Sequence, residues 1–214
     1  MSCDNYTTIC ELNNLTSNVS PSPSWLAKLF LVLTRLHFSN AKHYGTPFDE
    51  LMKDIVWSED ANSRLVVELN SPEGATIAAC RIPGVYINVG EFQFGQDVIG
   101  DAEGPDDANA SMALTVRASS ILQIVCLHEA ATASSNMAST ALVFMQACKN
   151  FFRNLGIVNF RPDTLRGPMP MKAATFKYFQ SILMFRFQFN QRVSIGLGGH
   201  ILRDISIDAR PFTE

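Results

Sequence analysis

The hydrophobic period of the chain changes once between Ser111 and Leu155, and that change limits the fold more than any other feature of the sequence. In SMALTVRASSILQIVCLHE, Met112, Leu114, Val116, Ala118, Ser120, Leu122, Ile124 and Cys126 hold the even positions. Thr115, Arg117, Ser119, Gln123 and Glu129 hold odd ones, so the segment has one apolar face and one mixed face, the signature of a strand. In TASSNMASTALVFMQACKNFFRNL, Met137, Ala141, Met145, Cys148, Phe152 and Leu155 recur at steps of three or four, with Gln146, Lys149, Asn150 and Arg153 opposite them. That spacing predicts a helix over 132–155 whose stripe packs onto the sheet. Thr132, Ser134 and Ser135 are candidate caps for its first turn, and Gly156 is its expected stop. Lys149 and Arg153 suit the negative end of its dipole.

A chain of 214 residues can bury one substantial core without a second domain. Its charged fraction is 17%, below the roughly 25% of ordinary soluble domains, so much of its surface is expected to lie against other subunits. A net charge of −3 provides no overall basic footprint, and sequence-specific nucleic-acid binding is not expected. The apolar run Trp25–Phe38 is broken by Lys28 and Arg35 and is shorter than the roughly 20 residues a membrane helix needs. No membrane span is expected, and the polar first twenty residues do not read as a secretory signal. Five cysteines, Cys3, Cys10, Cys80, Cys126 and Cys148, are an odd number, and the last three sit in apolar segments, as free thiols of a reducing cytoplasm would.

Met1 to Pro23 ends in Ser-Pro-Ser-Pro and reads as an extended N-terminal arm; 24–214 reads as one α+β domain. Trp25, Leu26, Leu29, Phe30, Leu33 and Leu36 mark a first helix ending near Asn40, and a short helical turn is expected at Pro47–Lys53. Strands are expected at Arg64–Leu69, Ala75–Cys80, Val85–Phe94, Phe176–Phe189 and Ile201–Ile207, with Ser71–Gly74 a turn that makes the first two a hairpin. Residues 95–110 and 161–171 lack periodicity, are rich in Gly, Pro or acidic residues, and read as loop insertions. Two principal helices on one face of a mainly antiparallel or mixed sheet is the resulting expectation.

No catalytic or metal-binding set emerges. Cys126 and His128 share a strand face, but Glu129 points the other way and no third group orients the imidazole. A zinc site drawing on Cys80, Cys148 and His200 lacks paired ligand spacings, and His128-Glu129 meets Thr132 where a zinc-protease helix needs its second histidine. The glycines of Gly196–His200 are followed by no Lys-Ser or Lys-Thr. Asp101, Glu103, Asp106 and Asp107 lack the calcium-loop spacing and read as a solvated loop. No cofactor, metal or catalytic residue is assigned.

The first helix, the hairpin, the phrase RIPGVYINVGEFQFGQDVIG and then SILQIVCLHEAATASSNMASTALVFMQACKNFFRNL together resemble small neck and tail-terminator proteins of tailed bacteriophages. The resemblance covers about half the chain and rests on pattern more than identity. It implies a non-enzymatic virion protein, assembled in the host cytoplasm, that forms a ring with itself and joins the tail tube to other neck or tail proteins. Tyr86, Phe92, Phe94 and Arg117 are then the expected contacts between subunits. The alternatives are another tail or baseplate protein, a small cytoplasmic Cys/His enzyme, or an unassembled binding module.

Overall fold

The computed structural model describes residues 23–39, 55–60, 63–69, 82–94, 102–106, 111–172, 177–196 and 207–208. The fold is α+β. Helix α1 spans Pro23–Phe38, and strands β1 (Val66–Leu69), β2 (Gly84–Val89), β3 (Gln93–Phe94), β4 (Ala102–Asp106) and β5 (Ser111–His128) follow. Helices α2 (Ala131–Ala147) and α3 (Lys149–Asn154) then lead into strands β6 (Ile157–Lys172), β7 (Lys177–Gly196) and β8 (Ile207–Asp208).

The sheet is mixed, with the order β1-β2-β5-β7-β6. Only the β1–β2 pair is parallel among the described pairings. Its spine is the antiparallel ladder of β5 and β7, which pairs every residue from Ser111–Gly196 to His128–Phe179 without a register shift. One edge of β5 is taken in turn by β2, β3 and β4, while β7 carries β6 and β8.

Period two does on β5 and β7 what the sequence demands. Ala118, Leu122, Ile124 and Cys126 on β5 join Leu183, Phe185, Phe187 and Phe189 on β7 in one buried cluster. Over that face lie Leu26, Leu29, Phe30 and Leu33 of α1 and Met137, Ala138, Ala141 and Met145 of α2. Both principal helices therefore pack on one face. On the other face Tyr86, Val125, Leu127 and Tyr178 form a small separate cluster.

The phenylalanines of β7 find their partners in a ring cluster centred on Phe30. Its ring centroid lies 5.6 Å from Phe152, 6.1 Å from Phe160 and 5.5 Å from Phe187, so α1, α3, β6 and β7 meet there. Phe160 also lies 4.5 Å from Phe152 and stacks on Phe185 at 4.7 Å. Tilted and offset contacts of this kind add to the burial of the rings.

A bulge in β6 makes the cluster possible. Val158 pairs with Gln188 and Arg161 with Arg186, so Asn159 and Phe160 together oppose Phe187 alone. Asn159 takes up the extra residue with φ 53°, a left-handed conformation that asparagine tolerates better than most residues. Its side-chain amide donates to Gln188 Oε1 at 2.6 Å. Without the extra residue, strand alternation would turn Phe160 to the opposite face.

Several expectations need correction. The helix expected as one piece over 132–155 breaks at Cys148 into α2 and α3. Thr132, Ser134 and Ser135 do not cap it: the N-cap is Ala130, with no side-chain cap bond. Ser134 is instead buried, donating to the Cys126 carbonyl at 3.0 Å, which leaves its oxygen to accept from the Ser181 hydroxyl at 2.9 Å, so it ties the helix to the sheet. Residues 161–171, read as a loop insertion, belong to β6; Pro162, Pro168 and Pro170 sit on an edge strand whose register shifts three times, the setting in which prolines are tolerated. Residues 95–110 likewise contain β4, with Pro105 inside its register shift.

Gly156 does end the helical segment, with φ 78° and its amide donating to the Arg153 carbonyl at 3.0 Å. The segment expected as one strand over Val85–Phe94 is divided into β2 and β3. The arm 1–22, the turn at Pro47–Lys53, the Ala75–Cys80 strand with its hairpin turn, and residues 201–206 lie outside the described residues.

Two substitutions probe this arrangement. Phe160→Ala is expected to lower stability by about 3–5 kcal/mol, because it empties the middle of the ring cluster. Asn159→Val, which removes no core atom, is expected to cost about 1–2 kcal/mol through its left-handed backbone, and Asn159→Gly much less. Urea unfolding of the three variants checks both; equal losses for Asn159→Val and Asn159→Gly would show that the bulge carries no conformational demand.

Candidate functional site

The two residues nearest to catalytic chemistry are Cys126 and His128, and the fold gives each a structural task. Cys126 is fully buried under α2, and burial pushes its thiol up to about 12. A thiol so held stays protonated near neutral pH, whereas the thiolate is the nucleophilic form. His128 accepts the backbone N–H of Ala130 at Nδ1, 2.9 Å away, and so holds the turn that enters α2. Among the described residues no three His, Cys, Asp or Glu side chains cluster as metal ligands would.

The expected contact residues separate. Tyr86 is 3% exposed and packs with Val125, Leu127 and Tyr178 inside the chain, so it is not available to a neighbour on this surface. Phe92 is half-buried, with its ring 5.0 Å from that of Phe189. Phe94, 57% exposed, and Arg117 do face outward. Alternation alone does not separate these positions, because what covers each face of the sheet depends on chain distant in sequence.

The feature with the most chemical character is an open cleft of about 740 Å³ where α3 meets the start of β6. Lys149 and Arg153 approach it from α3, Arg161 from β6 and Arg186 from β7. Arg186 is held by Asp163, with a 3.0 Å ion pair. Lys149, Arg153 and Arg161 are exposed and have no ion pair among the described residues. Three cations without an ion pair among the described residues therefore gather at one edge of a chain whose net charge is −3.

The bulge that buries Phe160 also sets Arg161 opposite Arg186, so core packing and cleft charge come from the same register shift. Lys149 and Arg153 are one helical turn apart on α3 and share a face. In the sequence, Lys149 and Arg153 stand out only as charges suited to the negative end of the helix dipole. A signal was present: residues 130–162 contain Lys149, Arg153 and Arg161 and no Asp or Glu.

The site supports anion recognition. Exposed cations, two of them five-donor guanidinium groups, suit carboxylates or phosphates.

His128 provides a pH test. Burial pushes its pKa below the ordinary 6.5, with neighbouring Glu129 partly opposing, so the fold favours the neutral ring. Its contribution is complete above the unfolded value and is lost as pH falls through the lower folded value. Urea midpoints should therefore drop between about pH 7.5 and pH 5, and His128→Asn should remove part of that drop. In a second test, Cys126 should react with a thiol reagent only on unfolding; rapid labelling of the folded protein would restore it as a nucleophile. No family model matches the sequence, and no curated protein matches it.

Proposed function

We propose that this chain is a non-enzymatic structural protein of a tailed-phage virion, a ring-forming component of the neck or tail terminator. The observation that carries the reading is a mismatch of lengths. The 18 residues of β5 extend about 60 Å, whereas the 17 residues of α2 span about 25 Å. The ladder is thus more than twice as long as the principal helix packed on it. A single small core does not require so long a ladder, but a subunit that presents sheet edges and faces to neighbours does.

Three further features support it. The charge-poor composition suits a chain with much of its surface buried in an assembly. Phe94 is an exposed aromatic on a short strand, and Ile121 and Leu165, at 39% and 44%, are also exposed. The resemblance to neck and terminator proteins rests on a first helix, a hairpin and a long strand running into a helix, and of these α1, β5 and α2 are present among the described residues. The burial of Cys126 counts against the Cys/His enzyme, and Tyr86 is withdrawn from the proposed contacts, leaving Phe94 and Arg117 as the outward pair.

Light scattering combined with negative-stain imaging tests the reading. Discrete rings, or incorporation into tail or neck particles, are expected at micromolar protein. A strictly monomeric chain that never enters particles would overturn it.

A further inference from the structure

We infer that the cleft between α3 and β6 is a binding site for a diphosphate group, free or carried by a small molecule such as a nucleotide. The inference is independent of the ring reading and concerns a ligand of the single chain.

Four cations line this cleft, Lys149 and Arg153 from α3, Arg161 from β6 and Arg186 from β7, and among the described residues no Asp or Glu lines it. Asp163 offsets Arg186 through their 3.0 Å ion pair. The other three have no ion pair among the described residues. Moreover, two of the four stand directly opposite each other, because the β6 register pairs Arg161 with Arg186. Like charges at paired positions of neighbouring strands destabilise a sheet. Asp163 answers one of them, and an anion in the cleft answers the other.

Charge and shape select the anion. A carboxylate brings one negative charge and two oxygens in a plane. A phosphate group brings about 1.5 to 2 charges at neutral pH and three acceptor oxygens around a tetrahedral centre, so donors can reach it from several sides. Here they come from three elements, α3, β6 and β7. Two linked phosphates carry about three negative charges, which matches the three cations left over. Ile157 and Phe160, each 2% exposed, also line the cleft, and beside such apolar groups a charge-assisted hydrogen bond is stronger than in open water. Size points to a small ligand, since about 740 Å³ falls in the roughly 300–1,000 Å³ range of small-molecule sites. A nucleic-acid strand, by contrast, spreads one charge per phosphate along its length, whereas these cations share one hollow.

Calorimetric titration of the full chain with sodium pyrophosphate, in metal-free buffer of low ionic strength, tests the site. Pyrophosphate is expected to bind at least about tenfold more tightly than inorganic phosphate or citrate, and the affinity should fall as salt is raised. Arg153→Gln with Arg161→Gln should weaken it at least about tenfold. Urea unfolding supplies a readout that a structural role would move the other way. Without ligand, Arg161→Gln should keep or raise the midpoint, because it relieves the repulsion with Arg186; with pyrophosphate, the parent should gain stability and the double variant should not. Should the double variant fail to fold, Lys149→Gln at the exposed face of α3 carries the same comparison.

A nucleoside diphosphate serves as the second probe. Binding equal to that of pyrophosphate makes the free diphosphate the ligand, and tighter binding makes it a nucleotide; either supports the site. A parent that binds no pyrophosphate overturns the inference, as do citrate binding as tightly, a double variant that binds like the parent, and a single-stranded oligonucleotide that binds more tightly than either probe. Rings without pyrophosphate binding would leave the ring reading standing and remove this site, and binding by a chain that never assembles would do the reverse.

Discussion

Phe30 is the point on which the two layers of this protein depend. It projects from α1 into the rings of Phe152, Phe160 and Phe187, so α3 and two strands are joined through one side chain of a third element. Burying an aromatic ring stabilises a fold only when its neighbours match its shape, and here that requirement reaches into the backbone of β6. Phe160 meets Phe30 only because Asn159 absorbs an extra residue in a left-handed conformation. The same register shift puts Arg161 opposite Arg186, so the charge of the cleft is a consequence of how the core closes.

Several buried polar groups of the described core have structural roles. Ser134 bridges α2 to the Cys126 carbonyl and to Ser181, and Thr34 and Thr140 return their hydroxyls to the carbonyls of Phe30 and Met137 on their own helices. At the edge of the sheet Arg35 donates to the Val67 carbonyl at 3.2 Å and lies over the Trp57 ring at 5.1 Å. A helix side chain thus occupies a backbone acceptor on β1, the end strand of the sheet order. Residues that looked reactive in the sequence are among these structural parts: Cys126 fills space under α2, and His128 secures the turn that begins it.

Functional character is concentrated at the periphery. The β5–β7 ladder runs far beyond the length of either principal helix, and cations gather where α3 meets β6.

The sequence by itself determined the elements whose periodicity is local. The alternation of β5, the stripe of α2, the helical face of α1, the Gly156 stop and the α+β class were all legible, because each follows from apolar spacing within a few turns or pleats. Tertiary structure decided the rest. Whether 161–171 forms a strand depends on the open edge of β7, which no local propensity of three prolines reveals. The break at Cys148, the burial of Ser134 and Tyr86, and the gathering of Lys149, Arg153 and Arg161 depend on contacts between residues distant in sequence. Local patterning specifies which face of an element is apolar; only the packed chain specifies what covers that face, and therefore which charges remain at the surface.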